Sequence, residues 1–199
     1  LLSERQLPLW RYSWTHEAGR QAIADLALIE KCAALYSRHY GRWGEGSDRP
    51  GQPITMSAER IRDLLDQPEA SLTCAWDAEG QLLGYCCATR FDIPERGRVA
   101  WVAQLVVHGD FRNERVATTL LYSVWQFSDC YAWGLATSNR FAVRALETAT
   151  RRHCLSSEIT SSGKQVLGHA SERVNYLPDA LVERDGQLAP RVNTGFHVD

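Results

Sequence analysis

The chain predicts an α/β (α+β) fold, a mixed central β-sheet of six to seven strands flanked by about four helices. Three observations carry this expectation. Short apolar stretches bounded by Gly, Pro and Asp clusters alternate with amphipathic helical stretches. The segment from Val99 to Arg152 reads strand, tight turn, helix, strand, helix. The 199 residues, 44% hydrophobic and 23% charged, suffice for one core, so residues 1–199 are read as one domain.

Residues 9–14 alternate well enough for a first strand. From Glu17 to about His39 the chain lacks Pro. Ile23, Leu26, Ala27 and Ala34 form one helical stripe and Leu28, Cys32, Leu35 and Tyr36 another, which predicts a helix covered on more than one side. Gly41 to Pro53, rich in Gly and Pro, is a loop. Ser57 suits the N-cap of a short helix, with Glu59 in its first turn, ending before Pro68. Leu72–Trp76, the turn Asp77–Gly80 and Gln81–Phe91 form a hairpin. After the turn Pro94–Gly97, Val99–Val107 is apolar on both faces apart from Gln104, as a central strand should be.

The break at His108-Gly109-Asp110 leads into a helix, Arg115–Phe127, with Val116, Leu120, Leu121 and Val124 on one face. Tyr131–Thr137 is a strand. Asn139 caps a helix carrying Phe141, Ala142, Ala145, Leu146 and Ala149. In the tail, Lys164–Leu167, Arg173–Tyr176 and Arg191–Val198 read as short strands, with Asp185-Gly186 a turn. The order is β-α-α-β-β-β-α-β-α-(β-β).

A formal net charge of −2 removes the basic footprint of non-specific nucleic-acid binding. No apolar run approaches the roughly 18–20 residues of a membrane helix. Glu4 and Arg5 interrupt any signal-peptide core, while the absent initiator Met fits processing, tag removal or excision of a domain from a longer chain. The six cysteines form no CxxC pair and the six histidines no HxH or HxxxH pair. The expectation is therefore reduced thiols, no metal and a cytoplasmic protein.

The turn after Val107 presents free N–H groups and the positive end of a helix beyond a buried strand, an arrangement suited to holding a phosphate. Its residues, Leu105-Val106-Val107-His108, Phe111-Arg112, Val116-Ala117 and Leu120-Leu121, resemble the GNAT-type N-acetyltransferase superfamily and its V-x-x-x-[FY]-R-x-x-G-x-[GA] turn. Ser138-Asn139 with Ala142 and Leu146 is similar to that family's N-x-x-A stretch. The likeness is strongest over residues 99–152.

The resemblance implies a GNAT-like fold that moves an acetyl group from acetyl-CoA to a primary amine of an unidentified acceptor. It implies that the backbone of Leu105, Val106 and Val107 pairs with the pantetheine arm. The diphosphate would lie on the turn, with Arg112, Asn113, Arg115, Val116, Ala117 and Thr118 as its residues. Asn139 and Ala142 would sit beside the arm. Tyr36, His39, Tyr40 and Trp43 lie where the resemblance places the acceptor pocket, with packing as the alternative, and Tyr36, Tyr40 and Trp43 are its candidate lining residues. Two departures stand out. Arg115 replaces the turn glycine, and Leu146 occupies the place of a tyrosine that serves many members as the acid.

For proton transfer, Glu95, with Asp92 beside it, offers the nearest carboxylate in sequence. Gln104 can hydrogen-bond but does not titrate. The second reading of the same departures is a catalytically degenerate GNAT-like module that binds acyl-CoA as a sensor or interaction domain. His108 and the thiols of Cys86 and Cys87 fit structural roles better than catalytic ones. Arg140, Arg144 and Arg151 read as a solvated helix face, with contact to the CoA 3′-phosphate or to RNA as the alternative. Tail strands could pair across a homodimer.

Overall fold

The computed structural model describes residues 12–125, 130–137, 139–174 and 177, and beyond them the strands Leu181–Arg184, Gln187–Pro190 and Phe196–His197. Elements follow in chain order: β1 (Ser13–Ala18), α1 (Gly19–Ala24), α2 (Leu26–His39), β2 (Arg42–Trp43), α3 (Ala58–Leu65), β3 (Ala70–Trp76), β4 (Leu82–Ile93), β5 (Gly97–Val107), a 3₁₀ turn (Gly109–Phe111), α4 (Val116–Trp125), β6 (Ala132–Leu135), α5 (Arg140–Thr150), α6 (Ser156–Ser171), β7 (Leu181–Arg184), β8 (Gln187–Pro190) and β9 (Phe196–His197). Five strands form the central mixed sheet in the order β1-β3-β4-β5-β6, all antiparallel neighbours except the parallel pair β5-β6. β2 pairs with β9, and β7 with β8, in two small ribbons.

The fold class agrees with the expectation from sequence, with five strands in the main sheet rather than six or seven. Other differences have local causes. The predicted helix 17–39 is two helices, because Asp25 leaves the helical conformation and its Oδ1 accepts the Leu28 N–H as the N-cap of α2. β1 starts at Ser13; residues 9–11 lie outside the described residues. Lys164–Leu167 belongs to α6 rather than to a strand. Val166, Leu167 and Ala170 recur at helical spacing and pack on Phe91, Ile93, Val99 and Trp101. The expected strand Arg173–Tyr176 and the turn Asp185-Gly186 fall partly or wholly outside the described residues. Of Arg191–Val198, only Phe196–His197 is described, as β9.

Both sheet faces are covered. α1, α2 and α3 bring Ala22, Ile29, Cys32, Leu35, Tyr36, Ile61 and Leu65 onto Leu72, Cys74, Tyr85, Cys87 and Val106. α4 and α5 bring Val116, Leu120, Leu121, Val124, Ala145 and Leu146 onto Leu83, Cys86, Ala88, Ala100 and Val102. Strand alternation places Phe91 and Ile93 on the same face as Tyr85 and Cys87, so α6 shares that face with α1–α3. Five of the six cysteines are buried free thiols and Cys154 is exposed. No helix of the described residues is long and apolar enough to cross a membrane.

One β-bulge sets the geometry of β5. Gln104 pairs with Cys87 and Val102 with Ala88, leaving Ala103 as an extra residue. Trp101 before it and Gln104 after it therefore point to the same face. A second constraint is Gly84 on β4. A Cβ there would lie 2.8 Å from the Val106 carbonyl oxygen and 3.1 Å from Val116 Cγ1. The bare backbone lets α4 settle on the sheet, which fixes where its N-terminus emerges. Gly84→Ala is accordingly expected to destabilise the fold by about 1–3 kcal/mol through overpacking, measured as a lowered midpoint in urea unfolding.

Candidate functional site

The site is built where β5 parts from β6. The parallel pairing runs from Val99↔Ala132 to Val102↔Leu135 and ends one residue before the bulge. Among the described residues, no strand pairs with Leu105, Val106 or Val107 on the β6 side, while β4 still holds them on the other through Gly84, Tyr85 and Cys86. Val106 is buried; Leu105 and Val107 are half-buried. Among the described residues, a stretch of extended main chain is thus left without a strand partner on that side.

The chain then turns through Gly109–Phe111 into α4. His108 N–H donates to Leu83 O, Phe111 N–H to His108 O, and Arg112 N–H to Gly109 O. The first backbone bond into α4 runs from Thr119 N–H to Arg115 O at 3.0 Å. Among the described residues, no acceptor meets the N–H groups of Val116, Ala117 and Thr118, the orphan donors of a helix start. Asn113 and Arg115 take left-handed conformations, φ +67° and +63°. Asn tolerates this readily; an arginine is strained by about 1–2 kcal/mol. The backbone at position 115 has the conformation that a glycine would take, so the substitution alters the side chain there and not the path of the turn.

Three side chains, Tyr12, Arg112 and His39, brace the turn. Tyr12 Oη donates to Glu114 O at 3.3 Å and lies 3.2 Å from Thr119 Oγ1. Arg112 Nη2 donates to His39 O at 2.7 Å, so this guanidinium bonds to the end of α2. Gly109 N–H donates to His39 Nδ1 at 3.1 Å. Sequence reasoning singled out Arg112, grouped His39 with the aromatic cluster at the end of the first helix rather than with the turn, and missed Tyr12.

At the bulge, buried Tyr85 donates from Oη to Gln104 Oε1 at 2.9 Å, and Gln104 Nε2 reaches Met56 Sδ at 3.7 Å. Burial pushes the Tyr85 phenol and the Cys87 thiol upward, so both are neutral at ordinary pH. Gln104 is therefore a fixed polar group at the bulge. Glu95 sits instead at the tip of the β4–β5 turn, with φ +62°, exposed, and about 20 Å along β5 from the bulge by strand rise. The structure does not bring it to Gln104.

Asn139 caps α5, its Oδ1 accepting from Phe141 N–H at 2.8 Å and Ala142 N–H at 3.4 Å. Ala142 is half-buried in the first turn of α5, and Leu146 is buried where α5 meets α4. Tyr36 and Tyr40 stack with centroids 4.1 Å apart at the end of α2. Tyr36 is only 4% exposed, part of the core under the helix, so little of it is open to an acceptor. Tyr40 and Trp43 are half-buried against the same core. Among the described residues, no group of three or more His, Cys, Asp or Glu could hold a metal ion.

Arg115→Gly removes the strained left-handed arginine and is expected to raise stability by about 1 kcal/mol, read from the shift of a chemical denaturation midpoint.

A family model described as the acetyltransferase (GNAT) family matches residues 32–149, more than half of the chain. Solved structures with similarity include an aminoglycoside acetyltransferase from an uncultured soil metagenomic sample, at 14% identity and TM-score 0.46, covering 71% of this chain and 86% of that one. A ribosomal-protein-alanine N-acetyltransferase from Brucella melitensis biovar Abortus matches at 17% identity and TM-score 0.46, covering 72% and 92%. An aminoglycoside 6'-N-acetyltransferase from Acinetobacter baumannii matches at 16% identity and TM-score 0.47, covering 72% and 91%. No curated protein matches the chain in sequence.

Proposed function

This chain belongs to the acetyltransferase (GNAT) family, and from that premise we propose that it transfers an acetyl group from acetyl-CoA to a primary amine in the cytoplasm. The observation that carries the reading is the loss of β6 pairing after Val102, directly before a turn whose helix start offers unpaired N–H groups. The open main chain of Leu105, Val106 and Val107 suits the amides of a pantetheine arm, which pair as a neighbouring strand would. The turn from Arg112 to Thr118, through Asn113, Arg115, Val116 and Ala117, suits a diphosphate, whose negative charge is favoured at a helix start. Arg115 can add a guanidinium to that contact. Asn139 and Ala142 at the start of α5 are proposed beside the arm.

Bound there, acetyl-CoA supplies an activated thioester carbonyl. The chain's part is to hold that carbonyl and an amine in reacting geometry. Gln104, fixed by Tyr85, is proposed to orient the polar groups at the bulge. With Tyr85 and Cys87 neutral and Glu95 remote, the amine proton leaves through water, so the reaction favours amines that arrive unprotonated. Tyr40 and Trp43 are proposed to form part of the acceptor wall.

The buried Leu146 supports a second reading, an acyl-CoA-binding module without transfer, since that position offers no acid for the departing thiolate. One pair of measurements separates the two. Calorimetric titration with acetyl-CoA is expected to show saturable binding, and its absence at millimolar ligand would sink both readings. Thiol release across a panel of primary amines is then expected to rise with pH through each amine's own titration. Tight binding with no thiol release from any amine would leave the module.

A further inference from the structure

The end of α2 and the turn before α4 meet through two imidazoles in contact, their planes tilted by 38°. The rings of His39 and His108 lie 3.9 Å apart between centroids. His39 Nδ1 accepts the Gly109 N–H at 3.1 Å, and His108 Nδ1 accepts the Asp110 N–H at 3.3 Å. Both bonds need an unprotonated Nδ1. A Cβ at Gly109 would lie 3.3 Å from His39 Nδ1, so the glycine lets the ring approach. Arg112 closes the contact by donating to the carbonyl of the same His39.

We propose that neutral His39 is a positioning residue for the cofactor turn, holding Gly109 in place, and that its protonation releases the turn and weakens acetyl-CoA binding. This rests on the reading that the turn holds the acetyl-CoA diphosphate. A proton on Nδ1 would set donor against donor at the Gly109 N–H. The charges around the ring oppose that proton. His108 and Arg112 face it from the end of β5 and the turn, and Arg38 adjoins it on α2, while Asp110 alone favours the cation. The Asp110 side chain is 88% exposed, where water screens it. Burial, followed by His108 and Arg112, lowers the His39 pKa below the usual histidine value, so the neutral ring holds at pH 7. The sign follows. Stability and affinity linked to this bond are present above about pH 6.5 and lost as the pH falls through the depressed value.

The test is calorimetric titration of the whole chain with acetyl-CoA from about pH 8 to about pH 5.5, for wild type, His39→Asn and His39→Ala, with steady-state kinetics beside it. Asn can accept the Gly109 N–H through Oδ1 and does not titrate. Wild-type Kd is expected to rise about fivefold on acidification, the worth of one hydrogen bond. His39→Asn keeps the affinity at high pH and loses most of this slope. His39→Ala weakens binding about fivefold at pH 8 and raises KM for acetyl-CoA with kcat unchanged. Titration of the ligand's own phosphate is common to all three proteins, so it cancels in the difference between slopes. Equal slopes in wild type and His39→Asn, or tighter wild-type binding at low pH, would overturn the proposal. If His39→Ala does not fold, the comparison of wild type with His39→Asn decides alone. If folded wild type binds no acetyl-CoA at any pH, the fault lies in the cofactor reading, and the His39 proposal falls with it.

Discussion

One extra residue in β5 governs the geometry of the candidate site. At Ala103 two residues of β5 stand where β4 offers one, so the strand kinks and its side-chain alternation reverses. β6 keeps its parallel register only as far as Val102. The bulge thus sits where β6 pairing ends and turns Gln104 toward Tyr85 and Met56. With unbroken alternation, Gln104 would share the apolar face of Ala100 and Val102, under α4 and α5.

The end of β6 pairing matters because the next segment is held firmly. The N-terminus of α4 is placed by close packing over Gly84, and the turn before it is tied to Tyr12 near β1, to Leu83 on β4 and to His39 at the end of α2. These anchors come from three separated parts of the chain. They offset the local strain of the left-handed Asn113 and Arg115. A loop so restrained presents its N–H groups without first paying a large ordering entropy on binding.

Much of this was legible in the residues. The caps Ser57 and Asn139 were readable because a short polar side chain before an amphipathic run has one favourable use, to accept the first free N–H groups. The hairpin of β3 and β4 and the strand–turn–helix around His108 were readable from turn residues between apolar runs. The bulge was not, since β5 is apolar on both faces and a reversal of alternation leaves little pattern. α6 was hidden by its glycines and β-branched residues, which have weak helix propensity. Its packing on Phe91 and Trp101 decides the matter instead. Asp25 gives no distinct signal, because a single capping residue inside a long helical pattern looks like a surface position. The bond from the turn to His39 carried no local signal, as the two partners lie 70 residues apart in sequence.

The cysteines have a practical corollary. Cys32, Cys74, Cys86, Cys87 and Cys130 are enclosed by the fold; burial disfavours the thiolate at Cys86 and Cys87, and a hydrogen bond with Cys32, then burial, disfavours it at Cys74. Cys154, just past the end of α5, is the one exposed cysteine thiol. A maleimide applied to the native protein would therefore install a single fluorophore beyond that helix, with no need to engineer the remaining thiols away.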